Sequence, residues 1–162
     1  MIRSITPDDA LQVCEIYNYY VKNTPISFEE EALSLNDMQE RIEQVSLEYP
    51  WLVYEENHTI LAYAYANRWK SRSAYRFTLE TTIYASPHMP KGKGIGSQLY
   101  TRLFEELDQR YVRSVMAVIA LPNAASVGLH EKMGFKKVAH FKEVGFKQDQ
   151  WIDVGYWQRM LN

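Results

Sequence analysis

The chain switches between two hydrophobic periods, and each switch marks an element. Residues 2–5 alternate as a short strand. Thr6-Pro7-Asp8-Asp9 has the make-up of a helix start: a hydroxyl N-cap, proline at the first position and acidic residues in the first turn. Leu11, Cys14, Ile16, Tyr17 and Val21 recur at helical spacing and predict one apolar face. Ser34 caps a second helix, predicted to run to about Tyr49. Residues 52–55 and 59–67 read as strands about the polar turn Glu56-Asn57-His58, and residues 77–85 as the third strand of that meander. A glycine-rich loop follows, then a helix over 97–110, a strand over 114–120 and a helix over 124–133. Strands near 138–147 and 152–160 close the chain. The order predicts a single α+β domain over residues 1–162, with a mixed sheet flanked by helices.

Alternation divides the strand over 77–85 into two faces. Phe77, Leu79, Thr81 and Ile83 point one way; Thr78, Glu80, Thr82 and Tyr84 point the other. Glu80 therefore stands on a polar face of the strand that leads into the glycine loop.

That loop reads Lys91-Gly92-Lys93-Gly94-Ile95-Gly96-Ser97. Three glycines in five residues let the backbone turn sharply and approach a ligand closely, because no Cβ intervenes. The first N–H groups of the following helix lack intrahelical partners, and the positive end of its dipole favours an anion. With Lys91 and Lys93 adding charge, a phosphate or pyrophosphate is the natural guest. No Lys-Ser or Lys-Thr pair closes the run, so it is not a nucleotide P-loop. Its G-x-G-x-G spacing differs from the dinucleotide fingerprint G-x-G-x-x-G.

Composition narrows the rest. A net charge of −2 gives no overall attraction to nucleic acid or to an anionic membrane. One cysteine, Cys14, excludes an internal disulfide and fits a reducing compartment; its helical setting predicts a buried apolar filler. With no apolar leader or span after the first Met, the expectation is a cytoplasmic protein. The histidines, cysteine and carboxylates form no metal-ligand spacing, so no metal is expected. The aromatic surplus, 12 Tyr, 4 Trp and 6 Phe, points to core, pocket walls and an interface.

The loop resembles the pyrophosphate loop of the GNAT N-acetyltransferases, [QR]-x-x-G-x-[GA], with Lys91 in place of the usual Arg or Gln. Downstream, Pro122-Asn123-Ala124-Ala125-Ser126 and Leu129-His130-Glu131-Lys132-Met133-Gly134-Phe135 resemble that superfamily's second motif. Asn123 is also a suitable N-cap and Gly134 a suitable left-handed C-cap. Segments such as Tyr49-Pro50-Trp51-Leu52-Val53, Glu80-x-Thr82-x-Tyr84, Gly145-Phe146-Lys147 and Trp151-x-Asp153-Val154-Gly155-Tyr156-Trp157 are similar to phosphinothricin N-acetyltransferases. The resemblance implies the GNAT fold, a mixed but mostly antiparallel central sheet flanked by helices. It implies acetyl-CoA as co-substrate and a small amino-acid-like amine as acceptor, of the phosphinothricin, methionine sulfoximine or methionine sulfone type. It also implies a homodimer, with Trp151, Tyr156 and Trp157 as candidate contacts.

The carried-over site follows residue by residue. Glu80 is the candidate base, because an ammonium must lose a proton before it attacks a thioester. His130 stands where many of these enzymes have a tyrosine serving the departing thiolate; as a histidine it could give that proton or help remove the other. Ile83, Tyr84, Ala85, Lys91, Gly92, Lys93, Gly94, Ile95, Gly96, Ser97, Asn123 and Lys132 are expected around the cofactor, with a backbone N–H near Ile83 facing the oxyanion. Phe28, Arg72, Tyr75, Arg76 and Thr82 are expected around the acceptor, the arginines because their forked donors match oxyanions. Two other readings stay open: acetylation of another small amine, such as a polyamine or aminoglycoside, and a non-catalytic acyl-CoA-binding module.

Overall fold

The run Ala62-Tyr63-Ala64-Tyr65-Ala66 sets the layering of the molecule. In a computed structural model, which describes residues 1–90 and 92–161, it lies in β3 (Thr59–Arg68). The alanines line one core with α3 (Ile95–Asp108), whose Leu99, Tyr100, Leu103 and Leu107 are fully buried. The tyrosines face α1 (Ala10–Asn23) and α2 (Leu35–Ser46), where Val13, Val21, Met38 and Ile42 form a second core. Small side chains under one helix and large rings under two are consistent with helices covering both faces of the sheet.

The remaining elements are β1 (Ile2–Ser4), β2 (Trp51–Glu56), β4 (Thr78–Ala85), β5 (Ser114–Leu121), α4 (Ala124–Lys132), β6 (Lys136–Lys147) and β7 (Gln150–Met160). The seven strands are ordered β1-β2-β3-β4-β5-β7-β6. Among the described residues only β4 and β5 run parallel, joined by the crossover through α3. Their ladder holds three pairs, Thr78–Ser114, Leu79–Val115 and Glu80–Met116, and goes no further. Beyond it β4 stays with β3 as far as Ala85, and β5 stays with β7 as far as Leu121. The sheet thus opens into a V at its centre.

Several sequence expectations shift by a residue or two, each for a local reason. The first helix opens with a 3-10 turn, Pro7–Asp9. Asp9 accepts hydrogen bonds from the Thr6 N–H at 2.8 Å and pairs with Arg3 at 2.7 Å, which holds that turn tight. Leu11, expected on the buried face, is 56% exposed. Helix α2 keeps its Ser34 cap, whose Oγ accepts from the Asp37 N–H at 3.1 Å, but ends at Ser46. Phe77 lies just before β4, exposed, with Arg76 over its ring at 4.4 Å. Helix α3 starts two residues early because Gly94, left-handed at φ 66°, serves as its N-cap.

Leu103 is a direct test of the core beneath α3, since its side chain has no exposure at all. Leu103→Ala is expected to cost about 2–5 kcal/mol. The readout is a lower urea midpoint at unchanged m. A midpoint equal to the parent's would remove this face from the core.

Candidate active site

Helix α3 and the V in the sheet bring three spaces together. The first is a cleft of about 380 Å³ walled by Ile83, Tyr84 and Ala85 of β4, residues Gly92 to Ser97 of the loop and first turn, and Asn123, Ser126 and Leu129. Gly92 and Gly94 adopt positive φ, and a Cβ on either would meet nothing within 4 Å, so the loop's floor is open backbone. Gly96 has the opposite reason: a Cβ there would stand 3.0 Å from Leu129, so the glycine lets α3 and α4 close up. Gln98 N–H is the first to bond within the helix, to Gly94 O at 3.0 Å. The N–H groups of Ile95, Gly96 and Ser97 have no partner among the described residues, and with the dipole they fit a pyrophosphate. Lys93 leans on Glu56 at 3.2 Å beside the mouth. Lys91, expected in the same loop, lies outside the described residues.

The second space, about 120 Å³, fills the V between β4 and β5. Glu80, Thr82, Ile83 and Tyr84 line one arm, Val118 to Ala120 the other, and His130 closes the end. The third, about 450 Å³, continues past Glu80, Thr82 and Tyr84 to Tyr17, Phe28, Glu29 and Tyr65. Ile26 and Tyr84 touch all three, so the spaces form one passage with Glu80 at its waist. The alternation read from β4 holds in part: Leu79 and Thr81 are buried while Glu80, Thr82 and Tyr84 share the larger cavity, but Ile83, read onto the opposite face, also lines the V.

Burial raises the Glu80 carboxyl above its ordinary value, with the charge of Lys70 acting in opposition. A carboxylate so placed is a better proton acceptor than one in water. Around it are hydroxyls: desolvation pushes Tyr17 up to about 12, and Tyr65 and Tyr84 also rise, so all three stay protonated donors at neutral pH. Tyr17 donates to Glu29, which Arg41 neutralises at 2.7 Å.

His130 is buried, and both ring nitrogens are engaged. Nδ1 lies 2.7 Å from Ser126 O, which can only accept, so Nδ1 carries the proton. Nε2 then accepts from the Tyr100 hydroxyl at 2.8 Å. Burial lowers the histidine's pKa, so neutral pH leaves Nε2 without a proton. Of the two roles expected for His130, giving a proton or helping to remove one, this tautomer leaves Nε2 an acceptor, set by the helix geometry that places Ser126 O one turn behind.

Two further expectations do not converge on the passage. Arg72 and Arg76 line a separate groove of about 250 Å³ with Arg68, Lys70 and Thr78; Tyr75 is exposed beside it, edge-on to Trp69 at 5.3 Å. Lys132 is exposed at the end of α4 and lines none of the three spaces. Conversely, the sequence reading missed Tyr17, Ile26, Tyr65 and Ser126. Tyr17 and Tyr20, one helical turn apart on the buried face of α1, were the available signal: tyrosines whose polar tips need a partner beneath a helix. Tyr20 finds it in Ala85 O, at 2.6 Å.

With this geometry in view, comparison with known proteins is unambiguous. Residues 2–155 match the acetyltransferase (GNAT) domain family. The phosphinothricin N-acetyltransferase of Streptomyces viridochromogenes is 39% identical over 98% of this chain and 86% of its own length. The L-methionine sulfoximine/L-methionine sulfone acetyltransferase of Salmonella typhimurium is 33% identical over 99% of this chain and 94% of its own. The crystal structure of a GNAT superfamily phosphinothricin acetyltransferase from Sinorhizobium meliloti, in complex with acetyl-CoA, superposes with a TM-score of 0.94 at 34% identity, covering 100% of this chain and 88% of that one. The chain belongs to the GNAT acetyltransferases. Within them it falls in the phosphinothricin N-acetyltransferase family, and it is an acetyl-CoA-dependent acyltransferase. Among the described residues no group of His, Cys, Asp and Glu could hold a metal, and no helix is long and apolar enough to cross a membrane.

Gly94→Val places a branched side chain on the open floor of the cleft and at a φ that such residues avoid. Acetyl-CoA affinity is expected to fall roughly tenfold or more, about 1.4 kcal/mol, while the circular dichroism spectrum stays that of the parent. Titration calorimetry giving the parent's Kd would remove this loop from the cofactor site.

Proposed function

We propose that this chain acetylates the α-amino group of a small amino-acid-like acceptor of the phosphinothricin, methionine sulfoximine or methionine sulfone type, by direct transfer from acetyl-CoA. One observation carries the reading: Glu80, its pKa raised by burial, stands where the cofactor cleft opens into the larger cavity. The pyrophosphate rests on the free N–H groups of Ile95 to Ser97. The pantetheine arm runs along β4 at Ile83, Tyr84 and Ala85, where β5 has left the ladder and main-chain groups can pair with it. The acceptor's ammonium enters from the cavity of Thr82 and Phe28. Glu80 takes its proton, directly or through a water, and the amine's lone pair attacks the thioester carbonyl. A backbone N–H near Ile83 meets the charge that develops on the carbonyl oxygen; as that oxyanion collapses the C–S bond breaks, and the departing CoA thiolate takes up the nitrogen's second proton and leaves as the thiol. His130, held neutral with Nε2 accepting, serves by position: its bond to Tyr100 ties α4 to α3 across the cleft.

The sulfone, sulfoximine or phosphinate group faces hydroxyls rather than a cation among the described lining residues, with Arg72 and Arg76 in their separate groove. That same lining favours a second reading, another small amine, since it carries two carboxylates, Glu29 and Glu80. Arg41 already pairs with Glu29, which weighs against a polycation. Release of the CoA thiol with methionine sulfone, phosphinothricin and a polyamine as acceptors decides between them; turnover with none would overturn both readings.

The dimer is part of the proposal, and its contacts differ from those expected. Trp157 is core, 2% exposed, and Tyr156 is half-buried, so only Trp151 of that trio is free to meet a partner. Phe141, Val144 and Phe146 of β6 join it as exposed apolar side chains, a patch that fits a second copy. Sedimentation is expected to give twice the 19.0 kDa of the chain, and a monomer at micromolar concentration would refute it. We also place the enzyme in the cytoplasm, where Cys14 stays reduced.

Glu80→Gln keeps size and hydrogen bonding but removes the base. Its kcat is expected to fall by roughly two to four decades, with part of the loss recovered at high pH, where free amine is abundant. The sign for stability is opposite. A raised folded-state pKa contributes stability below the ordinary carboxylate range that is lost as pH rises through it, so near neutrality the variant should melt no lower than the parent. Near-parental kcat at neutral pH would show that the base lies elsewhere.

A further inference from the structure

Gly145 sits in β6 opposite Ile152 of β7, buried, and its φ is not positive. No turn or left-handed backbone calls for a glycine there. Space does: a Cβ would stand 2.4 Å from Cζ and 2.5 Å from Cε2 of Phe28. Those are contacts that no real side chain makes, so the ring occupies the place a side chain at 145 would take. Two residues on, the buried Lys147 donates to Ser27 O at 2.6 Å. The segment bearing Ile26, Ser27 and Phe28 is fixed on its other side as well, where Ser27 Oγ and the Tyr17 hydroxyl are 2.9 Å apart. Its backbone is pinned; the Phe28 ring, 45% exposed and lining the cavity beside Glu80, is what remains free to move.

We propose that Gly145 is a positioning residue for acceptor specificity: it seats the Phe28 ring against β6 and so sets how long an acceptor side chain the cavity takes. This rests on the reading of that cavity as the acceptor site. With a Cβ at 145, strand pairing with β7 and the Lys147 bond hold the backbones on both sides of the contact. The ring then swings toward the cavity that it already lines. The clash falls on the far end of a rotatable side chain, so the fold survives while the cavity shortens.

The test measures kcat and KM for methionine sulfone and for alanine, a long and a short acceptor, and KM for acetyl-CoA, in the parent, Gly145→Ala, Phe28→Ala and the double variant. Gly145→Ala is expected to raise KM for methionine sulfone about tenfold, the scale of a lost methylene-sized space. The KM for alanine should move less and that for acetyl-CoA not at all. In the Phe28→Ala background the same substitution should have no further effect, because the ring through which it acts is gone. Phe28→Trp leaves β6 untouched and should move KM in the direction of Gly145→Ala, which decides the matter should that variant fold poorly. An unchanged KM for methionine sulfone in Gly145→Ala and Phe28→Trp would overturn the proposal, as would an equal effect of Gly145→Ala with and without Phe28. A parent inactive on both acceptors would instead overturn the acceptor-site reading beneath it.

Discussion

Everything at the active site depends on a ladder that stops. β4 and β5 share three pairs and then part, because each is held more extensively by its outer neighbour: β4 by seven pairs with β3, β5 by eight with β7. A continuous parallel ladder would bury and satisfy the main chain there, leaving nothing for a ligand to bind. Opening it costs backbone hydrogen bonds, and buried N–H and C=O groups are expensive to leave alone. A ligand with amide groups of its own, such as a pantetheine arm, can take the place of the missing strand. The same opening makes room for Glu80 to be desolvated without being sealed in.

The V is kept from closing, or from spreading, by what stands on either side. Helices α3 and α4 meet where Gly96 admits Leu129, and the buried Tyr100–His130 bond joins them a turn further along. On the other face, Tyr17, Tyr20 and Tyr84 pack ring to ring, with centroids 5.1–5.3 Å apart where Tyr84 meets each of the other two. Buried polar groups here are partnered, Tyr20 on Ala85 O, His130 on Ser126 O and Lys147 on Ser27 O, with the indole Nε1 of Trp51 in the second core as the exception. A satisfied buried network fixes one geometry at some cost in stability, and geometry is what an acyl transfer needs.

The sequence carried the local half of this picture and little of the rest. Periodicity located every strand and α-helix, since the alternation of β4 and the helical stripe of α1 are properties of a few consecutive residues. The glycine loop was legible for the same reason, though its helix began two residues early because Gly94 took the cap. What could not be read was register between distant segments. That β7 lies between β5 and β6, and that the β4–β5 ladder ends at Glu80, follow from pairings between residues far apart in sequence. His130 shows the limit most clearly: its position in the motif was legible, whereas its hydrogen-bond partners, Ser126 one turn back and Tyr100 on another helix, were not.

Burial shifts the pKa values of several ionisable groups against their charged form, His130 among them, and two of these groups stand at the cavity wall. Glu80 rises and Lys147 falls, so the fold would gain from losing either charge. They sit on opposite sides of the same cavity wall, one among the residues lining it and one behind Ser27. Lys147 belongs to β6, the edge strand, 120 residues from the segment that it holds. A long hairpin with β7 carries it there, and the same hairpin presents Phe141, Phe146 and Trp151 outward. The arm that holds one wall of this cavity is therefore also the arm that exposes the apolar patch, so both features hang on the pairing of β6 with β7.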